Sequence, residues 1–287
     1  MSIIEDIKLQ YKIGGVANKM IYWNVGIYLL SIILFYQFKT GVFEYPNWLA
    51  VSSNPDVLVT RPWTLLTYAF FHYGFLHIFF NMMVLNFTSR LFLTFFTQKQ
   101  YLGLYFLSAI FASIIFVLSF YLLGKSSLMV GASAAIMALL VASTTYQPLM
   151  EVRLLLIGNV KLWHITAVIL ILDLMQIQLD NTGGHIAHLS GAFFGFLYIK
   201  LLQNGTDLSV IVTNTINFFS TIFDKKQKTP FKKVHKTSQR KTPIRESKVV
   251  IKDKTQQQID EILDKISQSG YDSLTKEEKE FLFQSGK

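Results

Sequence analysis

The 287-residue chain contains no cysteine. That excludes disulfides, thiol catalysis and cysteine-ligated metal sites. Charge is scarce as well, at 16% Asp, Glu, Lys and Arg against 51% hydrophobic residues. The mean hydropathy of +0.37 excludes an ordinary soluble domain. Two chemistries of proteolysis within membranes are missing their residues. There is no HExxH pair for a zinc centre, and Asp173, the only acidic residue well inside an apolar run, has no second aspartate to face. No inverted repeat or interrupted helix pair speaks for a transporter. No cleavable signal pattern is expected before the first apolar run, which follows Lys8, Lys12 and Lys19.

What is present is a series of apolar runs near residues 20–38, 76–96, 101–123, 131–147, 161–178 and 185–203. About 20 residues of helix cross ~30 Å of hydrocarbon, and a backbone in lipid must satisfy its own hydrogen bonds. The spacing therefore predicts six membrane-spanning helices. Lys8, Lys12 and Lys19, then Arg90 and Lys99, then Arg153 and Lys161 fall on one side, and Lys125 and Asp180 on the other. The positive-inside rule places both termini in the cytoplasm. Segment 39–75, with Pro46, Trp48, Trp63 and Tyr68, is expected to rest at the outer interface.

The net charge of +9 has one source. Residues 224–254 hold twelve Lys/Arg against three Asp/Glu, and the remainder is balanced. This basic linker is too polar to form a core and suits anionic lipid headgroups; beside six spans, nucleic acid is not an expected partner. Beyond it, Ile259, Ile262, Leu263 and Ile266 mark an amphipathic helix stopped by Gly270. Thr275-Lys276-Glu277-Glu278 then reads as a capping box opening a second helix. The expected organisation is a cytoplasmic N-terminus at 1–19, a six-helix membrane domain at 20–205, an amphipathic and basic linker at 206–254, and a helical hairpin at 255–287. The fold class is an all-α membrane protein.

Polar residues inside spans usually have work to do. Ser133 lies in Gly131-Ala132-Ser133-Ala134-Ala135, about one turn into the fourth run, and His188 about one turn into the sixth. Both runs begin on the outer side, so both residues sit roughly 5–10 Å below that surface. In the second run His77 and Asn81 are i and i+4, on one face at similar depth. The stretch Gly124–Val130 reads as an extended loop dipping inward, which would leave Ser133 at the base of a water-accessible cavity. Gly191-xxx-Gly195, three residues beyond His188, permits close helix packing against Ala134, Ala135 and Ala138. A nucleophile and its base need only reach each other. His185 is the rival base; His72 and His164 read as structural or interfacial. Asp173 reads as a bonded structural residue.

GxS on the fourth span, HxxxN on the second and AHxxGxxxG on the sixth resemble the rhomboid intramembrane serine proteases over about residues 15–205. The resemblance implies a six-helix fold with Ser133 as nucleophile and His188 as general base, a pair without a carboxylate. It implies an oxyanion hole from His77, Asn81 and the Ser133 backbone, with Gly131 where the chain bends around that hole. It implies lateral access for membrane-spanning protein substrates, and no metal or cofactor. Both termini in the cytoplasm and a tail like that of some bacterial rhomboids point to a bacterial inner membrane. The chain departs from the family at Thr64, where Arg is frequent, at Ala134, where Gly is frequent, and at Met137, where an aromatic is frequent. The alternative from another class is a catalytically silent rhomboid-like protein that binds and escorts membrane spans.

Overall fold

The computed structural model describes residues 2–154, 157–179, 181–223 and 254–285. These fall into two compact units, divided after residue 227.

The first unit opens with α1 (Ile3–Ile13), set by a capping box between Ser2 and Glu5, and α2 (Gly15–Phe35). The following segment is built from short pieces: β1 (Tyr36–Gln37) paired with β2 (Val42–Phe43), then β3 (Val51–Ser52), α3 (Pro55–Thr60), α4 (Thr64–Thr67) and a 3-10 turn at Tyr68–Phe70. The long helices α5 (Phe75–Phe95) and α6 (Gln98–Leu122) follow, the second opened by a Thr97–Gln100 capping box. The strand β4 (Leu128–Met129) pairs antiparallel with β3, Val51 opposite Met129. Next come α7 (Ser133–Tyr146), a hairpin of β5 (Glu151–Leu154) and β6 (Gly158–Lys161), α8 (Leu162–Gln176), α9 (Thr182–Gln203) and α10 (Ser209–Phe223).

The six expected apolar runs fold as helices α2, α5, α6, α7, α8 and α9. Four of them (α2, α5, α6 and α9) are long and apolar enough to cross a membrane. Helices α7 and α8 are shorter, at 14 and 15 residues. Outward faces are apolar: Leu29, Leu30 and Ile33 on α2, Phe79, Phe80 and Met83 on α5, and Ile171, Leu172 and Met175 on α8 are all exposed. A contiguous apolar exterior on a helical bundle is a membrane surface.

Helix α7 is the centre. Every residue from Ala134 to Ser143 is buried, as expected of a helix apolar on all sides. Its tightest neighbour is α9. A Cβ on Gly191 would overlap the Ala134 carbonyl oxygen, and one on Gly195 the Ala138 carbonyl oxygen. The two glycines let the backbones touch, which is how small-residue faces bind helices where the hydrophobic effect gives no drive. Thr144 and Thr166 hydroxyls, 2.6 Å apart, join α7 to α8.

The first part of the expected linker is a helix of this unit. Helix α10 lies against α6, with Ser209 Cα only 2.6 Å from where a Gly103 Cβ would stand. Asp207 accepts from the Ser209 N–H at 2.8 Å and from Gln100 at 3.2 Å. Burial would raise the Asp207 pKa, but its bonds from Ser209, Gln100 and Tyr198 outweigh that and hold it below the usual carboxylate range. The remaining face of α10 exposes Val210, Ile211, Phe218 and Ile222. Residues 224–253, nearly all of the basic stretch proposed to meet anionic lipid, lie outside the described residues.

The second unit is the helical hairpin the sequence predicts: α11 (Lys254–Ser269), a 3-10 turn at Tyr271–Ser273 and α12 (Lys276–Ser285). Gly270, at φ 79°, follows α11. The Thr275 N–H donates to Glu278, whose own N–H donates back to the Thr275 hydroxyl. Lys265 pairs with Glu278 at 2.8 Å across the hairpin, and Ile262 and Leu274 are buried.

Candidate active site

One end of the bundle holds a cavity of about 730 Å³, lined by residues from α5, α7, α8, α9 and the strand before α7. Ser133, His188, His77, Asn81 and Gly131 all line it. The structure thus brings the five sequence-picked residues to one space. His185, the rival base, is buried and is not part of the lining.

The approach to Ser133 is fixed from three sides. The β3–β4 pairing, with Ser127 N–H donating to the Ser53 hydroxyl at 2.9 Å, ties the chain before α7 to the segment before α5. The Gly131 N–H donates to the Tyr68 carbonyl at 3.0 Å, and the Tyr68 hydroxyl donates to the Ala109 carbonyl at 2.9 Å. Gly131 has φ 133°, a conformation that favours glycine. A Cβ there would lie 3.1 Å from His77 Nε2 and 3.6 Å from Ser133 Oγ, so both atoms flank this glycine. With its N–H committed to Tyr68, Gly131 contributes shape rather than a donor.

Ser133 is the first residue of α7, and the first intrahelical bond runs from Ile136 N–H to the Ala132 carbonyl. The N–H groups of Ser133, Ala134 and Ala135 therefore head the helix without i−4 partners, where a helix favours negative charge. Ser133 Oγ makes no hydrogen bond among the described residues.

His77 accepts from the Tyr73 N–H on Nδ1 at 3.4 Å. An accepting Nδ1 leaves the proton of a neutral ring on Nε2, the nitrogen beside Gly131. Asn81 uses one amide N–H on the His77 carbonyl, 2.9 Å away, and keeps the other. Behind His77, in the loop before α5, His72 is fully buried with its ring 5.0 Å from that of His77. Burial, reinforced by His77, pushes the His72 pKa down to about 3. It is a neutral packing residue whose carbonyl accepts from the Tyr45 hydroxyl at 2.7 Å. Met137 stands in the cavity wall, filling the place of a frequent aromatic. Where Arg is frequent after Trp63, Arg61 instead bonds Asn47, and Trp63 donates to the Trp48 carbonyl at 2.8 Å.

Asp173 departs from the expected pair without a carboxylate. From α8 it reaches His188 Nδ1 at 2.9 Å and His185 Nδ1 at 2.7 Å, both through Oδ1. These three residues offer donor atoms within 4.8 Å of one another, the one group among the described residues with donors suited to a metal ion. The sequence reading of Asp173 as a bonded structural residue names no partner for it. Counting its depth from the end of α8, about one turn away, would have set it level with His185 and His188.

The rhomboid domain family matches residues 59–204, just over half of the chain and the whole of this site. A family of unknown function (DUF6576) matches residues 250–285, the terminal hairpin. No curated protein matches the chain. Helices, cavity and domain match agree: this is a multi-pass membrane protein, and the chain belongs to the rhomboid family.

Proposed function

We propose that this protein is an intramembrane serine endopeptidase that cuts membrane-spanning proteins near the outer face, with Ser133 as nucleophile and His188 as general base. The observation that carries the reading is the convergence of Ser133, His188, His77 and Asn81, from three helices, on one cavity.

The Ser133 oxygen attacks a peptide carbonyl while its proton passes to His188 Nε2. The carbonyl oxygen becomes an anion, met by His77 Nε2–H, the free Asn81 N–H and the N–H groups at the head of α7. His188 returns the proton to the leaving amine, and water releases the acyl group. Ser133 and His188 need not be bonded beforehand, because such contacts commonly close only in the substrate complex. A spanning helix has its carbonyls already bonded, so a substrate must unwind locally, and segments near Gly or Pro are favoured. The charge pattern supports cytoplasmic termini and a site facing outward, as in a bacterial inner membrane. No metal or cofactor takes part in these steps.

The test is cleavage in proteoliposomes of a single-span reporter with a helix-breaking segment at its outer end. Wild type cuts it; Ser133→Ala and His188→Ala do not. Equal cutting by all three overturns the assignment. Intact reporter that co-purifies equally with wild type and Ser133→Ala supports the silent escort reading instead.

A further inference from the structure

Asp173 sits on α8 at 6% exposure, beside Ile169 and Leu172, the other α8 residues that line the cavity. A carboxylate there is costly unless hydrogen bonds compensate it. Its compensation is specific. His185 and His188 are i and i+3 on α9, so one helix turn presents both Nδ1 atoms to a single carboxylate oxygen, at 2.7 and 2.9 Å. The α8–α9 junction fixes that register. The Thr182 hydroxyl donates to the Ile177 carbonyl at 2.8 Å, and Asn181 caps α9 by accepting from the Gly184 N–H at 3.3 Å.

We infer that Asp173 is a positioning residue for the base, extending Ser133 and His188 into a chain of three, with His185 as a second clamp on the carboxylate. The inference rests on the reading of Ser133 and His188 as the reacting pair. Donation of the Nδ1 proton to Asp173 leaves the Nε2 lone pair as the basic site of His188, the ring nitrogen across from the carboxylate. As Ser133 forms its bond to the substrate carbon, its proton moves to Nε2 and the imidazolium gains the Asp173 charge beside it. Asp173 stays ionised throughout, and no proton moves onto it. His185 does not line the cavity, so it holds the carboxylate and touches no substrate.

The experiment uses the full chain in proteoliposomes and the same reporter. Asp173→Asn is expected to lower kcat by about 10²–10⁴, the scale of losing such a carboxylate, with KM unchanged. His185→Gln, which leaves the His188 bond intact, is expected to lose far less. Proton NMR of wild type and Ser133→Ala should show two far-downfield imidazole resonances, one of them missing in His185→Gln and both missing in Asp173→Asn. Wild-type kcat in Asp173→Asn beside an inactive Ser133→Ala overturns the inference and leaves the protease reading standing. An active Ser133→Ala overturns the protease reading itself. If Asp173→Asn does not fold, the wild-type and His185→Gln spectra decide, and the absence of both resonances overturns the inference. Activity lost in EDTA and restored by zinc alone overturns it in favour of a metal site on the same three side chains.

Discussion

Gly191 on α9 stands directly against the Ala134 carbonyl on α7, one residue beyond Ser133, with no room between them for a methyl group. The contact that builds the bundle is thus made beside the proposed nucleophile. Gly191→Val should destabilise the protein by about 1–3 kcal/mol through overpacking and slow the reaction with it. Gly26→Ala on α2 is the control, because a Cβ there meets nothing within 4 Å. Unfolding in detergent micelles, followed by circular dichroism, compares the two; equal stability would contradict the packing account.

His77 and Asn81 are proposed as donors to charge that exists only during reaction. Alanine at either position should lower kcat by about 10²–10³ and leave KM close to wild type. A variant that raised KM alone would mark its residue as a binding contact instead.

The residues carrying the proposed chemistry were legible because each breaks a local rule. Serine, histidine and asparagine interrupt apolar runs, and Gly191 and Gly195 share a helix face with small partners. The Asp173 link was not legible in the same way, since it depends on the rotation of α8 against α9, which spacing within either helix does not encode. Helix α10 was hidden by composition. The basic run beginning at 224 dominates residues 206–254, although Asp207 and Ser209 already form a capping pair. The β3–β4 pairing joins residues far apart in sequence through two-residue strands, too short to carry a pattern.

His72 sets an acid limit on stability. Its ring is buried neutral, with a folded pKa of about 3 against 6.5 for the free group. Between those values the unfolded chain binds a proton that the folded one does not, so stability rises with pH there and is lost as pH falls below 6.5. The loss approaches about 1.4 kcal/mol per pH unit. His72→Gln should show a flatter decline between pH 7 and pH 5 in chemical unfolding. An identical slope in both proteins would contradict a neutral buried His72.

Tyr68 supports the site through both ends. Its hydroxyl anchors to α6 at Ala109, and its carbonyl holds the Gly131 N–H. Tyr68→Phe removes a second, tertiary bond to a carbonyl that already serves the α6 ladder, and should cost about 0.5–1.5 kcal/mol of stability. Thermal unfolding in micelles reads this directly, and an unchanged midpoint would contradict the anchoring role.

The proposed chemistry requires that Ser133 be a nucleophile activated by His188. A fluorophosphonate probe tests it without knowledge of any substrate, because it reacts with an activated serine. One labelled site is expected in the folded wild-type protein, mapped to Ser133 by mass spectrometry, absent in Ser133→Ala and strongly slowed in His188→Ala. Labelling of Ser133 at the same rate with and without His188, or no labelling of Ser133 in folded wild type, would contradict it.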